Sequence, residues 1–312
     1  MPRRSRRGRP EAPGASGFLV VDKPAGWTSH DAVDAARAWF GTRRVGHLGT
    51  LDPLATGVLP LAIRDATRLV SFLEGGEKSY AGAIRLGEAT DTLDAEGRVT
   101  RRHAGPLPDE AAVRDALAGF VGEIWQLPPM YSAVKRGGVP LHRLARQGRE
   151  VERPPKRVRI DRIELVKYAP PDVEIRVDCS AGTYVRVLAA DVGERLGCGA
   201  HLASLRRTRS GPFTDAHALP AALLSREAEA GAIEARLLPA VNVLGFPALR
   251  LAAEEVVRVA HGGEIRAPDA PITPGTRVCA LDPRGELVAV LEVRPGRLLR
   301  PLRVLRSVAP PD

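Results

Sequence analysis

From Arg43 to Ile63 the chain reads RRVGHLGTLDPLATGVLPLAI, an apolar run that turns around a single aspartate. Asp-Pro is a turn-maker, because proline presets φ and the aspartate side chain can bond its own backbone. Gly46, Gly49 and Gly57 surround the Asp52–Pro53 pair and give it room to bend. Turn chemistry alone leaves His47, Thr50 and Thr56 unexplained, crowded into the same dozen residues between apolar flanks.

The rest of the chain punctuates its apolar runs in a similar way. FLVV, at Phe18 to Val21, is a short buried strand ending in the turn DKPAGW. Thr28 or Ser29 then caps a helix whose apolar positions Val33, Ala36 and Phe40 recur at helical spacing before Gly41. ATRLVSFLEG predicts a short helix, KSYAGAIRLG a strand, EATDTLDAEG an acidic loop, and PDEAAVRDALAGF a helix with acidic residues at its start. VRIDRIELVKY and DVEIRVDCS alternate as a hairpin, AGTYVRVLAADVGERLG runs from strand into helix, and HLASLRRTRSGPF is a further strand. Strands and helices mix without a βαβ repeat, which predicts an α+β fold with a mixed, largely antiparallel central sheet flanked by helices.

Two stretches break this rhythm. Residues 128–156 hold two Pro-Pro pairs, a Gly-Gly and many basic residues, and predict a projecting basic loop with one short helix, PLHRLARQG. Beyond VNVLGFPAL the texture changes to one helix and several short strands with tight turns, which predicts a small β-barrel over 245–308. The main domain then spans 17–244, after a disordered basic arm over 1–16.

Composition narrows the functional classes. With 44% hydrophobic and 27% charged residues, the 312-residue chain is an ordinary globular protein with material for a sizeable core. No apolar run approaches the roughly 18 residues of a membrane span. The start MPRRSRRGRPEAPGAS has no secretory h-region, so a cytoplasmic location is expected. Cys179, Cys198 and Cys279 form no CxxC pair and the seven histidines no HxxxH or HxH, so neither disulfides nor a metal site are expected. The net charge of +9 favours a polyanionic partner, although five arginines sit in the first ten residues. Arginine outnumbers lysine by 41 to five, which can equally reflect genomic base composition.

The blocks GFLVVDKPAGWTSHDAV, GHLGTLDPLATGVLPLAI, KSYAGAIRLGEATDTLDAEG, QLPPMYSAVKRGGVPLHRLARQG, AGTYVRVLAADVG and HLASLRRTRSGPF resemble, in this order, those of the bacterial tRNA pseudouridine synthase B (TruB) family. The resemblance runs from about Gly17 to Phe213, and the C-terminal module is similar to that family's PUA domain. It implies conversion of the T-loop uridine of tRNA, position 55, to its C-glycoside isomer. In that reaction N1–C1′ breaks, the base turns over and C5 joins C1′. No redox change or phosphate transfer occurs, so no cofactor is expected, in keeping with the lack of GxxxxGK[ST] and GxGxxG motifs.

The resemblance assigns roles by position. Asp52 is the nucleophile, ionised at neutral pH, acting either at C6 or at C1′. Arg186 is its ion-pair partner, offsetting the tendency of a carboxylate in an apolar cleft to protonate. Tyr80 stacks on the flipped base and is a candidate acceptor of the C5 proton, although free tyrosine, with pKa about 10, is a poor base. Tyr184 braces Arg186 or the substrate, and Leu205 lines the pocket. His47 supports the flipped arrangement. Lys135, Arg136, Arg143 and Arg146 grip the T arm by its phosphates, and Lys23 and Pro53 support the Asp52 loop. Leu48 and His142 stand where the family often has threonine and tyrosine. The glycines and Pro53 thus shape a loop that presents Asp52 from a hydrophobic wall.

Other classes make distinct demands. A tRNA-binding or folding helper without catalysis would have no use for Asp52, Tyr80 and Arg186 together. An N-glycoside hydrolase would need a second acid, and no second carboxylate stands in the block around Asp52. A guide-RNA-dependent relative would carry a long Lys-rich tail. The expectation is a stand-alone, monomeric enzyme acting on tRNA.

Overall fold

The computed structural model describes residues 14–132, 151–268 and 273–305, together with the short strands at 135–136 and 139–140. The central sheet is built from β1 (Gly17–Lys23), β2 (Val45–His47), β3 (Thr56–Ile63), β4 (Lys78–Leu86), β7 (Gly122–Gln126), β10 (Lys156–Ala169), β11 (Asp172–Cys179), β12 (Ala200–Ser210), β13 (Phe213–Thr214) and β14 (Leu219–Pro220). Between these, β5 (Glu88–Thr90) pairs with β6 (Val99–Arg102), and β8 (Lys135–Arg136) with β9 (Val139–Pro140). The sheet order is β14-β1-β3-β12-β4-β11-β10-β7, with β13 on β12 and β2 on β3. Only β1/β14 and β3/β12 pair in parallel, so the sheet is mixed and largely antiparallel.

The unbroken apolar runs follow from burial on both faces. In β1, Leu19 and Val21 enter one core while Phe18 and Val20 enter another. In β3, Leu59, Leu61 and Ile63 face the first core, and Val58 and Ala62 the second. Side chains alternate across a strand, so both faces of β1 and β3 must be apolar.

Helices α1 (Ser29–Trp39), α2 (Glu110–Ala118) and α3 (Val185–Arg195) close the first core. Thr28 caps α1 in a capping box: its Oγ1 accepts from Asp31 N at 3.1 Å, and Asp31 Oδ2 accepts from Thr28 N at 2.7 Å. Asp109 caps α2 through Ala112 N at 2.9 Å. The helix predicted in ATRLVSFLEG is a 3-10 helix over Arg64–Phe72. Its inward residues Ala66, Leu69 and Phe72 recur every three positions, the period of that tighter helix.

The C-terminal module comprises β15 (Ala248–Arg250), β16 (Ile265–Arg266), β17 (Arg277–Leu281), β18 (Leu287–Arg294) and β19 (Leu298–Val304), with a helix over Ala253–Ala260. Its strand order β15-β17-β18-β19-β16 makes a curled half-barrel around a core of its own. It is joined to the main sheet by the second core, where Cys279, Val290 and Leu305 meet Phe18 and Phe213. Arg68 adds hydrogen bonds to the carbonyls of Val304 at 3.0 Å and Leu305 at 3.3 Å. Gly14–Ser16, assigned in sequence to the basic arm, already touch the fold. Ala15 N donates to Glu234 at 3.2 Å, and its carbonyl accepts from Arg64 at 2.9 Å.

Candidate active site

The Asp52 loop is held from both sides. Ser29, buried at the start of α1, accepts from Leu51 N at 2.8 Å and donates to Leu51 O at 3.1 Å. On the other flank the Pro53 carbonyl accepts from Gly26 N at 2.9 Å and from Lys23 Nζ at 3.3 Å. The wholly buried Lys23 also donates to the carbonyls of Pro24 at 3.0 Å and Trp27 at 2.5 Å. Burial pushes its ammonium down to about 8, against the opposing pull of Glu96 and Asp52. Ala55 N closes the turn onto Asp52 O at 3.0 Å.

Arg186 comes to this loop from across the fold. It occupies the first turn of α3, not a strand: β11 ends at Cys179 and a turn leads to Tyr184. No side chain caps α3. Instead Gln126, buried at the end of β7, donates to Tyr184 O at 3.2 Å and accepts from Tyr184 N at 3.0 Å. The Arg186 side chain is 5% exposed and lies 3.1 Å from Asp52 Oδ2. It also donates to Tyr131 O at 2.6 Å and meets Asp94 Oδ2 at 3.5 Å.

Asp94 is the second carboxylate that the sequence around Asp52 lacks. It comes from the acidic segment after β5, its side chain is 4% exposed, and its Oδ1 accepts from Thr92 Oγ1 at 2.6 Å and Glu96 N at 3.1 Å. These bonds turn it toward Arg186, and it does not line the cavity beside Asp52.

That cavity, about 350 Å³, is lined by Asp52, Tyr80, Tyr184, Arg186, Leu205 and Arg207 among others. Asp52 keeps 38% of its side-chain surface open there. Its apolar walls raise its pKa above the ordinary carboxylate value, outweighing the opposing Arg186 cation, with Asp94 adding to the rise. Tyr80 is buried on β4, directly across from Arg207 on β12. Burial raises the Tyr80 phenol, so the ring is neutral at physiological pH. Tyr184 is raised for the same reason, against the opposing influence of Ser132 and the Arg186 cation. Leu205, two residues before Arg207 on β12 and diagonal to Tyr80 across the β12/β4 pair, is half-buried and also lines the cavity.

The remaining sequence-derived residues lie further out. His47, on β2 opposite Leu61, stands beside the cavity wall and not in it. Its Nδ1 is buried without a partner among the described residues, and burial lowers its pKa. Lys135 and Arg136 form β8, and Arg143, Arg146 and His142 lie outside the described residues, as does most of the predicted PLHRLARQG helix. Leu48 lines the cavity and is buried in the second core. Besides Asp94, sequence reading missed Arg207, Gln126, Ser29 and Lys78, a cavity residue whose Nζ donates to Ser210 Oγ at 2.7 Å. Among the described residues no cluster of three or more His, Cys, Asp or Glu could hold a metal ion, and no helix is long and apolar enough to cross a membrane.

The family model described as TruB family pseudouridylate synthase (N terminal domain) matches residues 37–185. The tRNA pseudouridylate synthase B C-terminal domain matches 186–244, and tRNA Pseudouridine synthase II, C terminal, matches 246–306. The chain is 46% identical over 260 residues to tRNA pseudouridine synthase B of Chromohalobacter salexigens, covering 83% of each. It is 45% identical over 294 residues to that of Burkholderia mallei, covering 93% of this chain and 96% of the relative. Among solved structures, a Cbf5-Nop10-Gar1 complex matches with TM-score 0.68 and 29% identity over 93% of this chain and 85% of that one. The chain belongs to the TruB family and is a pseudouridine synthase.

Proposed function

We propose that the enzyme converts the T-loop uridine at position 55 of tRNA to pseudouridine, with Asp52 as nucleophile. The observation that carries this is the cavity in which the Asp52 carboxylate, paired with Arg186, faces the Tyr80 ring. A uridine flipped from its stack fits such a space, with Tyr80 against the base and Leu205 beside it in the lining. Neutral Tyr80 suits stacking better than proton abstraction.

The carboxylate acts at C6 or at C1′, N1–C1′ breaks, and the base turns while still enclosed. C5 then joins C1′, the bond to the Asp52 carboxylate breaks, C5 loses its proton and N1 gains one, so atoms balance and the carboxylate is restored without a cofactor. Arg186 aims Asp52 and holds its charge, Asp94 orients Arg186, and Lys23 with Pro53 fixes the loop. Tyr184 lines the site, while His47 supports the flipped RNA. Lys135, Arg136, Arg143 and Arg146, in the basic 128–156 segment, bind T-arm phosphates. We assign 17–244 to the catalytic domain and 245–308 to a PUA-like RNA-binding domain. The enzyme acts as a cytoplasmic monomer on tRNA without a guide RNA.

Tritium release from a T-arm hairpin labelled at C5 of its uridines tests this reading, since isomerisation must give up that hydrogen. Release confined to the T-loop uridine is expected. Tight hairpin binding without release would instead leave a tRNA-binding or folding helper.

A further inference from the structure

Arg207 is the largest fully buried side chain among the described residues, at 1% exposure, yet it is one of the residues lining the cavity that holds Asp52. Its strand neighbours explain the position. On β12 it is the register partner of Gly57 in β3 on one side and of Tyr80 in β4 on the other. Gly57 has φ +96°, and a Cβ there would stand 2.3 Å from the Arg207 carbonyl, so the strands approach this closely only at a glycine.

The guanidinium spends its donors on neutral oxygens. Nε donates to Val58 O at 2.8 Å, while the two terminal nitrogens donate to Thr50 O and Gly49 O, each at 3.3 Å. Its charge also acts on the neighbouring Tyr80 phenol, the register partner on β4, opposing the rise that burial gives that group. Among the described residues no carboxylate stands within ion-pair distance of the guanidinium, whereas buried cations are ordinarily paired. The planar head with its five donors is what allows one side chain to reach two loop carbonyls and a strand carbonyl together, beside the Tyr80 ring. Gly49 and Thr50 lead directly into Asp52, and Tyr80 is the register partner on β4, so this one residue adjoins both the nucleophile's loop and the ring.

We infer that Arg207 is a positioning residue for the isomerisation, setting the Tyr80 ring and the Asp52 loop at a fixed separation around the flipped base. This rests on the function proposed above. It goes beyond it in assigning the alignment of the two groups to one guanidinium that touches neither the Asp52 carboxylate nor Arg186. Misplacement by about 1 Å at a reacting centre costs on the order of 100-fold in rate, which sets the size of the expected effect.

The test uses the full-length chain as wild type, Arg207→Lys, Arg207→Met, Tyr80→Phe and Tyr80→Phe/Arg207→Met. T-arm hairpin affinity and single-turnover tritium release, followed over hours for slow variants, are measured on each. Both Arg207 variants are expected to bind the hairpin as wild type does and to lose about 100-fold in rate. In the Tyr80→Phe background, which keeps the ring and removes the hydroxyl, Arg207→Met should lose less than about tenfold, because coupled residues are not additive. Should Arg207→Met fail to fold, Arg207→Lys in both backgrounds gives the same comparison with the charge retained. An equal fold-loss in both backgrounds, or a loss of affinity with the rate unchanged, would overturn the inference while leaving the proposed function intact. A wild type that releases no tritium would overturn both.

Discussion

The Arg186 guanidinium lies 3.1 Å from the Asp52 carboxylate and reaches Asp94 with its other nitrogen at 3.5 Å. One buried cation is thus shared by two carboxylates, one open to the cavity and one sealed away from it. Removing the shared group strands both. Arg186→Met should destabilise the fold by about 3–5 kcal/mol, the cost of breaking a buried pair. Arg186→Lys keeps the charge, but its single ammonium cannot span Asp52, Asp94 and the Tyr131 carbonyl. It should fold, bind the hairpin and lose at least about 100-fold in rate. Chemical denaturation and single-turnover kinetics separate the two effects.

Asp52 itself should behave oppositely in stability. Its folded pKa is raised by burial above the ordinary 3.8, so the folded state holds this proton more tightly than the unfolded chain does. Ionised Asp52 therefore costs stability at neutral pH. Asp52→Asn should melt at or above the wild-type temperature at pH 7, and the difference should shrink as pH falls through the raised pKa. Activity runs the other way. The rate should fall on the acid side, with a midpoint above that of a free aspartate, because only the carboxylate is nucleophilic. Melting curves and rates taken over one pH series check both signs.

Lys23 gives a second pH signature. Its folded pKa of about 8 lies below the ordinary 10.5, so between these values the unfolded chain holds more protons on this group. The stability it contributes then rises with pH. Compared with Lys23→Met, the wild type should gain relative stability as pH is raised from about 8 toward 10. Denaturant titrations of both proteins across that window measure the change.

Gly57 tests the close approach of β3 and β12. Its φ of +96° and the 2.3 Å gap to the Arg207 carbonyl leave no room for a methyl group. Gly57→Ala should cost at least about 2–3 kcal/mol, from backbone strain together with a clash against main chain. Gly46→Ala is the control: its φ is not positive, and a Cβ there meets nothing within 4 Å.

How much of this was legible in the chain depends on which signals are local. The two-faced burial of β1 and β3 is written in FLVV and VLPLAI, and the caps Thr28 and Asp109 stand where helix-start chemistry puts them. The pairing of Asp52 with Arg186 spans 134 residues and no local pattern announces it, so resemblance alone pointed there. Asp94 sits in an acidic stretch that also holds Asp91 and Glu96, and nothing in the sequence singles it out. Arg207 is one of 41 arginines and follows another, Arg206, which pairs at the half-exposed surface with Asp22 and Asp215. Only the alternation of β12 separates the surface residue from the buried one. AGTYVRVLAADVGERLG reads as a strand running into a helix, and its β-branched and aromatic start TYV favours the strand. Gln126 overrides that preference by holding both backbone groups of Tyr184 at the helix start.

The nucleophilic role of Asp52 is tested most directly by comparing wild type, Asp52→Asn and Asp52→Glu on one C5-tritiated T-arm hairpin, with affinity measured in parallel. The prediction is wild-type affinity for all three, with release abolished in Asp52→Asn and greatly slowed in Asp52→Glu, whose longer arm misplaces the carboxylate. Release by Asp52→Asn within about tenfold of wild type, far short of what losing a catalytic nucleophile costs, would contradict it.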